Sequence, residues 1–368
     1  MIKLPSVATR KPITKKDRIL FAGMLLRWNN ESNLRNMPWK GEKDPYKIWL
    51  SEVILQQTRV EQGLSYYQKF VSAFPSVQDL AAAPDQLVFK YWEGLGYYSR
   101  CRNLIETARH IARDLNGQFP SRYQEIIKLK GVGPYTAAAI ASFAFKECHA
   151  VVDGNVFRVI SRIFGVDKAI DTSEGKKFFA GLAGELLHKE LPDVYNQAIM
   201  DFGAMVCKPV PVCDQCPFKS GCRAFLNGEI SALPVKSRKV YVKKRCLHYV
   251  LLEYNGRFAI RQRTDRDIWS DLFEFMLIES KTCLSKVAIV SHAKRKGWLA
   301  NTGYELVEYS RVFRQQLTHQ IIEGRFARIK LRKKPVTIQG LIWVKKEQII
   351  SYAFPKFINN YLAECGLI

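Results

Sequence analysis

The chain has 368 residues, 47% hydrophobic and 25% charged, enough for about two globular domains at about 150 residues each. Lys and Arg number 57 against 34 Asp and Glu, a formal net charge of +23, and self-repulsion of that size points to a polyanionic partner. No run of 18 apolar residues is present, which excludes a transmembrane helix. The first 18 residues lack the apolar core of a secretory signal. Nine cysteines, an odd number in a long chain, argue against a secreted disulfide framework. The expectation is a cytoplasmic protein that touches nucleic acid and no membrane.

Residues 1–18 are basic and polar and read as loose. From Arg18 to about Ala224 apolar residues recur at spacings of three and four, as in ILFAGMLLRW, IWLSEVILQQ and NLIETARHIARDL, so this part reads as all-α. Residues 228–245 hold six Lys/Arg, a proline and little periodicity, and read as a basic linker. Beyond them, LHYVLLEY and RFAIRQR flank Asn255-Gly256, a hairpin signal. VAIVSHAKRKGWL reads as a helix and LIWVKKEQ as a strand. The expected organisation is an all-α domain over 1–227, a linker over 228–245 and an α+β domain over 246–368.

Four features carry chemistry. Glu52 stands alone among Ile48, Trp49, Leu50, Val53, Ile54 and Leu55. Desolvation there raises a carboxyl pKa and suits a general acid; a helix face turned to water is the alternative. Gly131-Val132-Gly133, before Pro134, ends one helix and opens the next. Its outward N–H groups can hold a phosphate oxygen. Asp153, in VVDGNVFRV, sits at a helix start, where N–H groups hold a carboxylate ionised. A protonated acid beside an anionic carboxylate is the pair that cleaves a glycosidic bond. Cys207, Cys213, Cys216 and Cys222 are spaced C-x5-C-x2-C-x5-C. One C-x2-C with wide gaps on both sides suits a [4Fe–4S] cluster better than zinc, which stays the alternative.

Together, LKGVGPYTAAAI, an Asp about 20 residues later and the four-Cys loop resemble the endonuclease III superfamily of helix-hairpin-helix DNA glycosylases. SEVILQQTRV, EGLGYYSRCRNL and the C-terminal domain narrow the resemblance to MutY-type adenine DNA glycosylases. The resemblance implies excision of adenine paired with 8-oxoguanine, or guanine, in double-stranded DNA by a monomer, with a [4Fe–4S] cluster on the four cysteines. It makes Glu52 the acid, Asp153 the stabiliser of the sugar cation and Asn155 the residue that orients the carboxylates. Arg35, Trp39, Leu55 and Gln197 fall at the adenine pocket, and Gln57 and Tyr97 at positions that wedge into DNA. Tyr135 stands where the strand-cleaving relatives carry a lysine nucleophile, so the resemblance implies a monofunctional enzyme in which Tyr135 lines the site.

The C-terminal half resembles the Nudix-like recognition domain of these enzymes. No glutamate-rich Nudix box lies between Glu279 and Glu305, so no pyrophosphohydrolase activity is expected. Leu317-Thr318-His319 replaces the family's Phe-Ser-His in the loop that reads 8-oxoguanine. Three positions depart from the pattern. Five residues, not six, separate the first two loop cysteines, Phe157 replaces a lysine, and Gln315 replaces a histidine. Two other readings compete: a bifunctional pyrimidine glycosylase, and a DNA-binding protein with a structural metal. The first is disfavoured by Tyr135 and the extra domain, and the second would not require Glu52 or Asp153.

Overall fold

The computed structural model describes residues 12–237, 242–300, 303–333 and 340–368. The chain forms two compact units, Met1–Gln78 with Glu106–Arg238, and Asp79–Ile105 with Lys239–Ile368. Among the described residues no helix is long and apolar enough to cross a membrane.

The N-terminal part is helical, as its 3.6-residue periodicity predicts: α1 (Lys15–Ser32), α2 (Pro45–Leu55), α3 (Val60–Ala73), α4 (Val77–Ala82), α5 (Asp85–Trp92), α6 (Ser99–Asp114) and α7 (Tyr123–Ile126). Then follow α8 (Pro134–Phe145), α9 (Gly154–Phe164), α10 (Ser173–Leu186), α11 (Pro192–Met205) and, after the cysteine loop, α12 (Arg223–Leu226). α1 begins with a reciprocal cap in which Asp17 N–H donates to Thr14 Oγ1 at 3.2 Å and Thr14 N–H to Asp17 Oδ2 at 2.8 Å, closing two orphan donors. α8 packs against both α2 and α11. Four of the five residues 137–141 are alanines, and all five are buried, so the helix can approach its neighbours closely. The core of this unit includes Leu25, Trp28, Val156, Ile160, Phe179 and Phe202.

The stretch 228–245 is divided. Leu233 is buried in the helical core, Ile170 N–H donates to Val235 O at 3.0 Å, and Ser237 N–H donates to Asp171 Oδ1 at 2.9 Å. Residues 238–241 lie outside the described residues, and a strand begins at Lys243.

The second unit is built on a mixed sheet: β1 (Lys243–Tyr254), β2 (Arg257–Gln262), β3 (Phe273–Glu274), β4 (Met276–Ser280), β5 (Tyr304–Tyr309), β6 (Phe313–Gln316), β7 (Gln320–Gly324), β8 (Phe326–Leu331) and β9 (Leu341–Lys345). Its helices are α13 (Lys286–Arg295), α14 (Lys346–Ile349) and α15 (Lys356–Glu364). β1 is the axis. It pairs antiparallel with β4 and β2, and parallel with β7 and then β8. Asn255 (φ 46°) and Gly256 (φ 70°) both take left-handed conformations between Tyr254 and its partner Arg257, as a primed two-residue turn requires. One face packs Val250, Leu252 and Ile329 with Ile289 and Ala293 of α13. The other stacks Phe326 on Tyr361 of α15 at 4.1 Å between ring centroids. Covered on both faces, β1 is buried at every position from Cys246 to Glu253 rather than at alternate ones.

Residues 79–105 belong to this unit although they precede it by more than a hundred positions in sequence. Phe354 N–H donates to Glu93 Oε1 at 2.7 Å, Lys90 Nζ to Tyr352 O at 3.2 Å, and Arg102 Nε to Asp271 Oδ2 at 2.8 Å.

At the end of β7, a Cβ on Gly324 would lie 1.7 Å from Leu247 O. Gly324→Ala should therefore force β7 away from β1 and cost roughly 1–3 kcal/mol or more. Urea denaturation of the intact protein measures it, and a wild-type midpoint would show that the two strands part easily there.

Candidate active site

α2 enters on the N-cap Asp44 with Pro45 in its first turn, and nearly every side chain of the helix is buried. Glu52 goes with them, at 9% exposure. The water-facing alternative is excluded because α2 lies between α3 and α8. Burial above all, with the nearby charge of Asp153, raises the Glu52 pKa to about 7, against the Tyr135 hydroxyl, which favours the ionised form.

Asp153 caps α9. Its Oδ1 accepts from Val156 N–H at 2.8 Å and its Oδ2 from Asn155 Nδ2 at 2.8 Å. The helix terminus does not win, however. Desolvation outweighs these hydrogen bonds, and Asp153 titrates above, not below, an ordinary aspartate. This corrects the expectation from the cap alone, which ignores how little water reaches the carboxyl.

Both carboxylates line one cavity of about 770 Å³, and Arg35, Trp39, Leu55, Gln57, Tyr135, Asn155 and Gln197 line it too. Tyr135 opens α8 and donates its hydroxyl to Met200 Sδ at 3.4 Å. Asn155 is brought close by Gly203 of α11, where a Cβ would lie 2.7 Å from Asn155 Cβ. Gln57, just past α2, holds φ at 59° with its side chain exposed, an uncommon conformation for a side-chain-bearing residue and one that clusters at functional sites.

Sequence reasoning missed Asp201, which is fully buried. Its carboxylate accepts from Arg35 Nη1 (2.8 Å), Asn33 Nδ2 (2.9 Å) and Gln197 Nε2 (2.9 Å), with Lys40 Nζ at 3.2 Å. It holds three residues of the cavity wall at once, Arg35, Lys40 and Gln197. The available signal was its place one turn after Gln197 on α11. Arg158 was missed as well. Its Nη2 donates to Asn155 Oδ1 (2.7 Å) and Gly203 O (2.8 Å), and its Nε to Cys207 O (2.7 Å), joining the cavity to the cysteine loop.

Cys207, Cys213, Cys216 and Cys222 line a small cavity of their own with Ile163, Phe202 and Phe225. Arg162 lies beneath the loop, 3% exposed. It donates to Lys208 O (2.7 Å) and Pro209 O (3.0 Å), with Nη1 3.8 Å from Cys207 Sγ. Among the four loop cysteines, burial disfavours the thiolates of Cys207, Cys216 and Cys222 and pushes Cys216 up to about 12. Among the described residues, no three of them bring their sulfurs within 4.8 Å of one another. A single tetrahedral zinc at about 2.3 Å from each sulfur needs separations of about 3.8 Å, so the donor set suits a larger metal centre.

Gly131 (φ 77°, exposed) and buried Val132 form the turn between α7 and α8, with Gly133 as the α8 N-cap and Pro134 at its start. In the second unit, Tyr97, Leu317, Thr318 and His319 line a cavity of about 730 Å³ with Gln315. The Tyr97 hydroxyl is hydrogen-bonded to Thr318 Oγ1. Tyr97 holds φ at 50°, and Arg100 lies over its ring and that of Trp92. Leu317–His319 form the turn between β6 and β7, closed by Leu317 N–H to Gln320 O at 2.8 Å. Gln315 Oε1 is buried there without a hydrogen-bond partner among the described residues.

Glu52 makes folding pH-dependent. Its folded pKa stands above the unfolded value of 4.5, so the native state binds the extra proton and stability falls as pH rises from about 4.5 through about 7. The loss from this group is on the order of 3 kcal/mol at most. Glu52→Gln should flatten that part of the profile, and parallel slopes for the two proteins between pH 5 and 8 in urea melts would contradict the burial of the carboxyl.

Residues 50–183 match the family of HhH-GPD superfamily base excision DNA repair proteins, and residues 248–364 match the NUDIX domain. The adenine DNA glycosylase of Buchnera aphidicola subsp. Baizongia pistaciae is 32% identical over 295 residues, covering 76% of this chain and 82% of that one. The human adenine DNA glycosylase is 41% identical over 214 residues, covering 55% of this chain and 39% of its own. Among solved structures, a thermostable thymine-DNA glycosylase superposes with a TM-score of 0.54 at 31% identity, covering 59% of this chain and all of that one. A trapped endonuclease III–DNA covalent intermediate, at 21% identity and a TM-score of 0.51 over 59% of this chain and 99% of that one, shares the helical fold. The chain belongs to the adenine DNA glycosylase family: it is a DNA N-glycosylase of the helix-hairpin-helix type that carries a C-terminal Nudix-like domain.

Proposed function

We propose that this enzyme excises adenine mispaired with 8-oxoguanine, or with guanine, in double-stranded DNA, acting as a monomer in the cytoplasm and cleaving only the N-glycosidic bond. The observation that carries the reading is a carboxyl with a pKa of about 7 facing a second carboxyl across a cavity of about 770 Å³. Glu52, which still carries a proton in a large fraction of molecules near pH 7, donates it to N7 of the flipped adenine. The C1′–N9 electron pair leaves with the base, Asp153 stabilises the cation left at C1′, and water adds there and gives up a proton. Asn155 holds Asp153 in place, while Arg35, Trp39, Leu55 and Gln197 enclose the base. Tyr135 offers no amine for a Schiff base, so the product is an intact strand with an abasic site.

The Gly131–Gly133 turn would hold a backbone phosphate, and Gln57 and Tyr97 would enter the duplex. The four loop cysteines would hold a [4Fe–4S] cluster, whose contribution is a rigid, positively flanked loop. Functionally, 1–227 would carry the chemistry, 246–368 lesion recognition through Leu317, Thr318 and His319, and 228–245 the connection. 8-Oxoguanine bears a donor at N7 where guanine bears an acceptor, so an acceptor placed there tells them apart.

In a single-turnover assay on an adenine:8-oxoguanine duplex, wild type should yield strand breaks only after alkali. Glu52→Gln should bind the duplex but lose adenine release by a factor of at least about 100. Breaks without alkali would replace this reading with a bifunctional lyase, and near-normal excision by the variant would remove Glu52 from the chemistry.

A Thr318→Ala/His319→Ala double variant should lose about 1–3 kcal/mol of preference for adenine:8-oxoguanine over adenine:guanine at one fixed salt concentration. Equal losses on both duplexes would show that the turn only holds DNA.

A further inference from the structure

A second group of soft ligands lies in the sheet unit, apart from the cysteine loop. Cys246 on β1, Cys283 in the loop after β4, and Glu323 on β7 bring one ligand atom each within 4.8 Å of one another, the only such trio of His, Cys, Asp or Glu among the described residues. The sheet register makes this meeting obligatory. Cys246 pairs directly with Glu323 across the parallel β1–β7 ladder and with Ser280 across the antiparallel β1–β4 ladder, and Cys283 follows three residues later. Three neighbouring segments thus offer donors at one end of the sheet.

The spacing is informative. Cys246 Sγ and Cys283 Sγ are 3.9 Å apart, well beyond a disulfide bond of about 2.05 Å. It is close to the separation of about 3.8 Å between two thiolates on one tetrahedral zinc. Cys246 is 1% exposed, while Cys283 and Glu323 are partly open to solvent, which leaves a route for an ion. Glu323 already holds a cation, with Lys244 Nζ at 2.8 Å and Arg314 Nε at 3.8 Å. Lys244 is more than half exposed and can swing into water at little cost.

We propose that Cys246, Cys283 and Glu323 form a binding site for a single divalent ion of the zinc type, with water as fourth ligand. Binding releases two protons, one from each thiol, and joins two thiolates, one carboxylate and one dication, a net charge of −1 beside the positive charge of Arg314. Thiolates select zinc or cobalt(II) over magnesium and calcium. Because β7 begins at Gln320, directly after His319, the ion would brace the base of the Leu317–His319 turn against β1. This assignment stands on the sheet geometry and does not depend on the lesion specificity proposed above.

The test uses the full-length protein with its cysteine loop loaded, stripped of loosely held metal with EDTA and titrated anaerobically with cobalt(II). One equivalent should give the visible d–d bands of tetrahedral thiolate cobalt, to the red of iron–sulfur absorption, and zinc should abolish them. Cys283→Ser should lose the bands. Its zinc affinity should fall by well over the roughly 10–100-fold that loss of an outer partner of a metal ligand costs. Glu323→Gln, which keeps both thiols and the strand pairing, should retain altered bands at lower affinity. An absence of bands, bands that survive in Cys283→Ser, or a Cys246–Cys283 disulfide in anaerobically purified protein would overturn the assignment.

Discussion

The N-terminus of α9 must hold a carboxylate in a place with little water, and much of the helical unit serves that requirement. Asp153 alone would be an unfavourable buried charge. Its two oxygens are instead met by Val156 N–H and the Asn155 amide, and Asn155 is in turn held by Arg158. Arg158 reaches Cys207 O, and one turn further Arg162 ties the same loop at Lys208 and Pro209. One helix therefore carries the carboxylate at its start and the cationic support of the cysteine loop along its length. A shift of that loop would be felt at the carboxylate through two arginines whose hydrogen bonds are geometrically demanding.

The opposite wall is organised by a single buried anion. Asp201 has no exposure and four polar partners from two chain segments. Removing any partner would leave a buried charge less compensated, so the set behaves as a unit. That rigidity matters because the cavity also contains a carboxyl near neutrality. Burial, with the nearby charge of Asp153, lifts the Glu52 pKa to about 7, so this carboxyl can still carry a proton near neutral pH.

The sheet unit uses a different device. A twelve-residue central strand, covered on both faces, pairs with β4 and β2 along one edge and β7 and β8 along the other. At Gly324, β7 comes too close to the β1 backbone for any side chain to fit. Residues 79–105 join this unit through Lys90, Glu93 and Arg102, so Tyr97 and Thr318, far apart in sequence, share one cavity wall.

Much of this was legible in the residues themselves because it is local. A cap at Asp-Gly-Asn, a Gly-Val-Gly turn before Pro134, Asn255-Gly256 between two strand-like runs and four cysteines in sixteen positions each act over a few residues, where backbone preference decides. The rest depended on which surfaces meet. Periodicity could not say that Glu52 faces inward, since α2 is apolar on every side. Nor could a cap predict that desolvation would lift Asp153, because burial is a property of the neighbours. Asp201 and Arg35 are separated by 166 positions, and Cys246 meets Glu323 only through a parallel strand pairing. Contacts of that range leave no periodic mark in the chain. They exist only once loop closure has brought distant segments together and packing has removed the water between them.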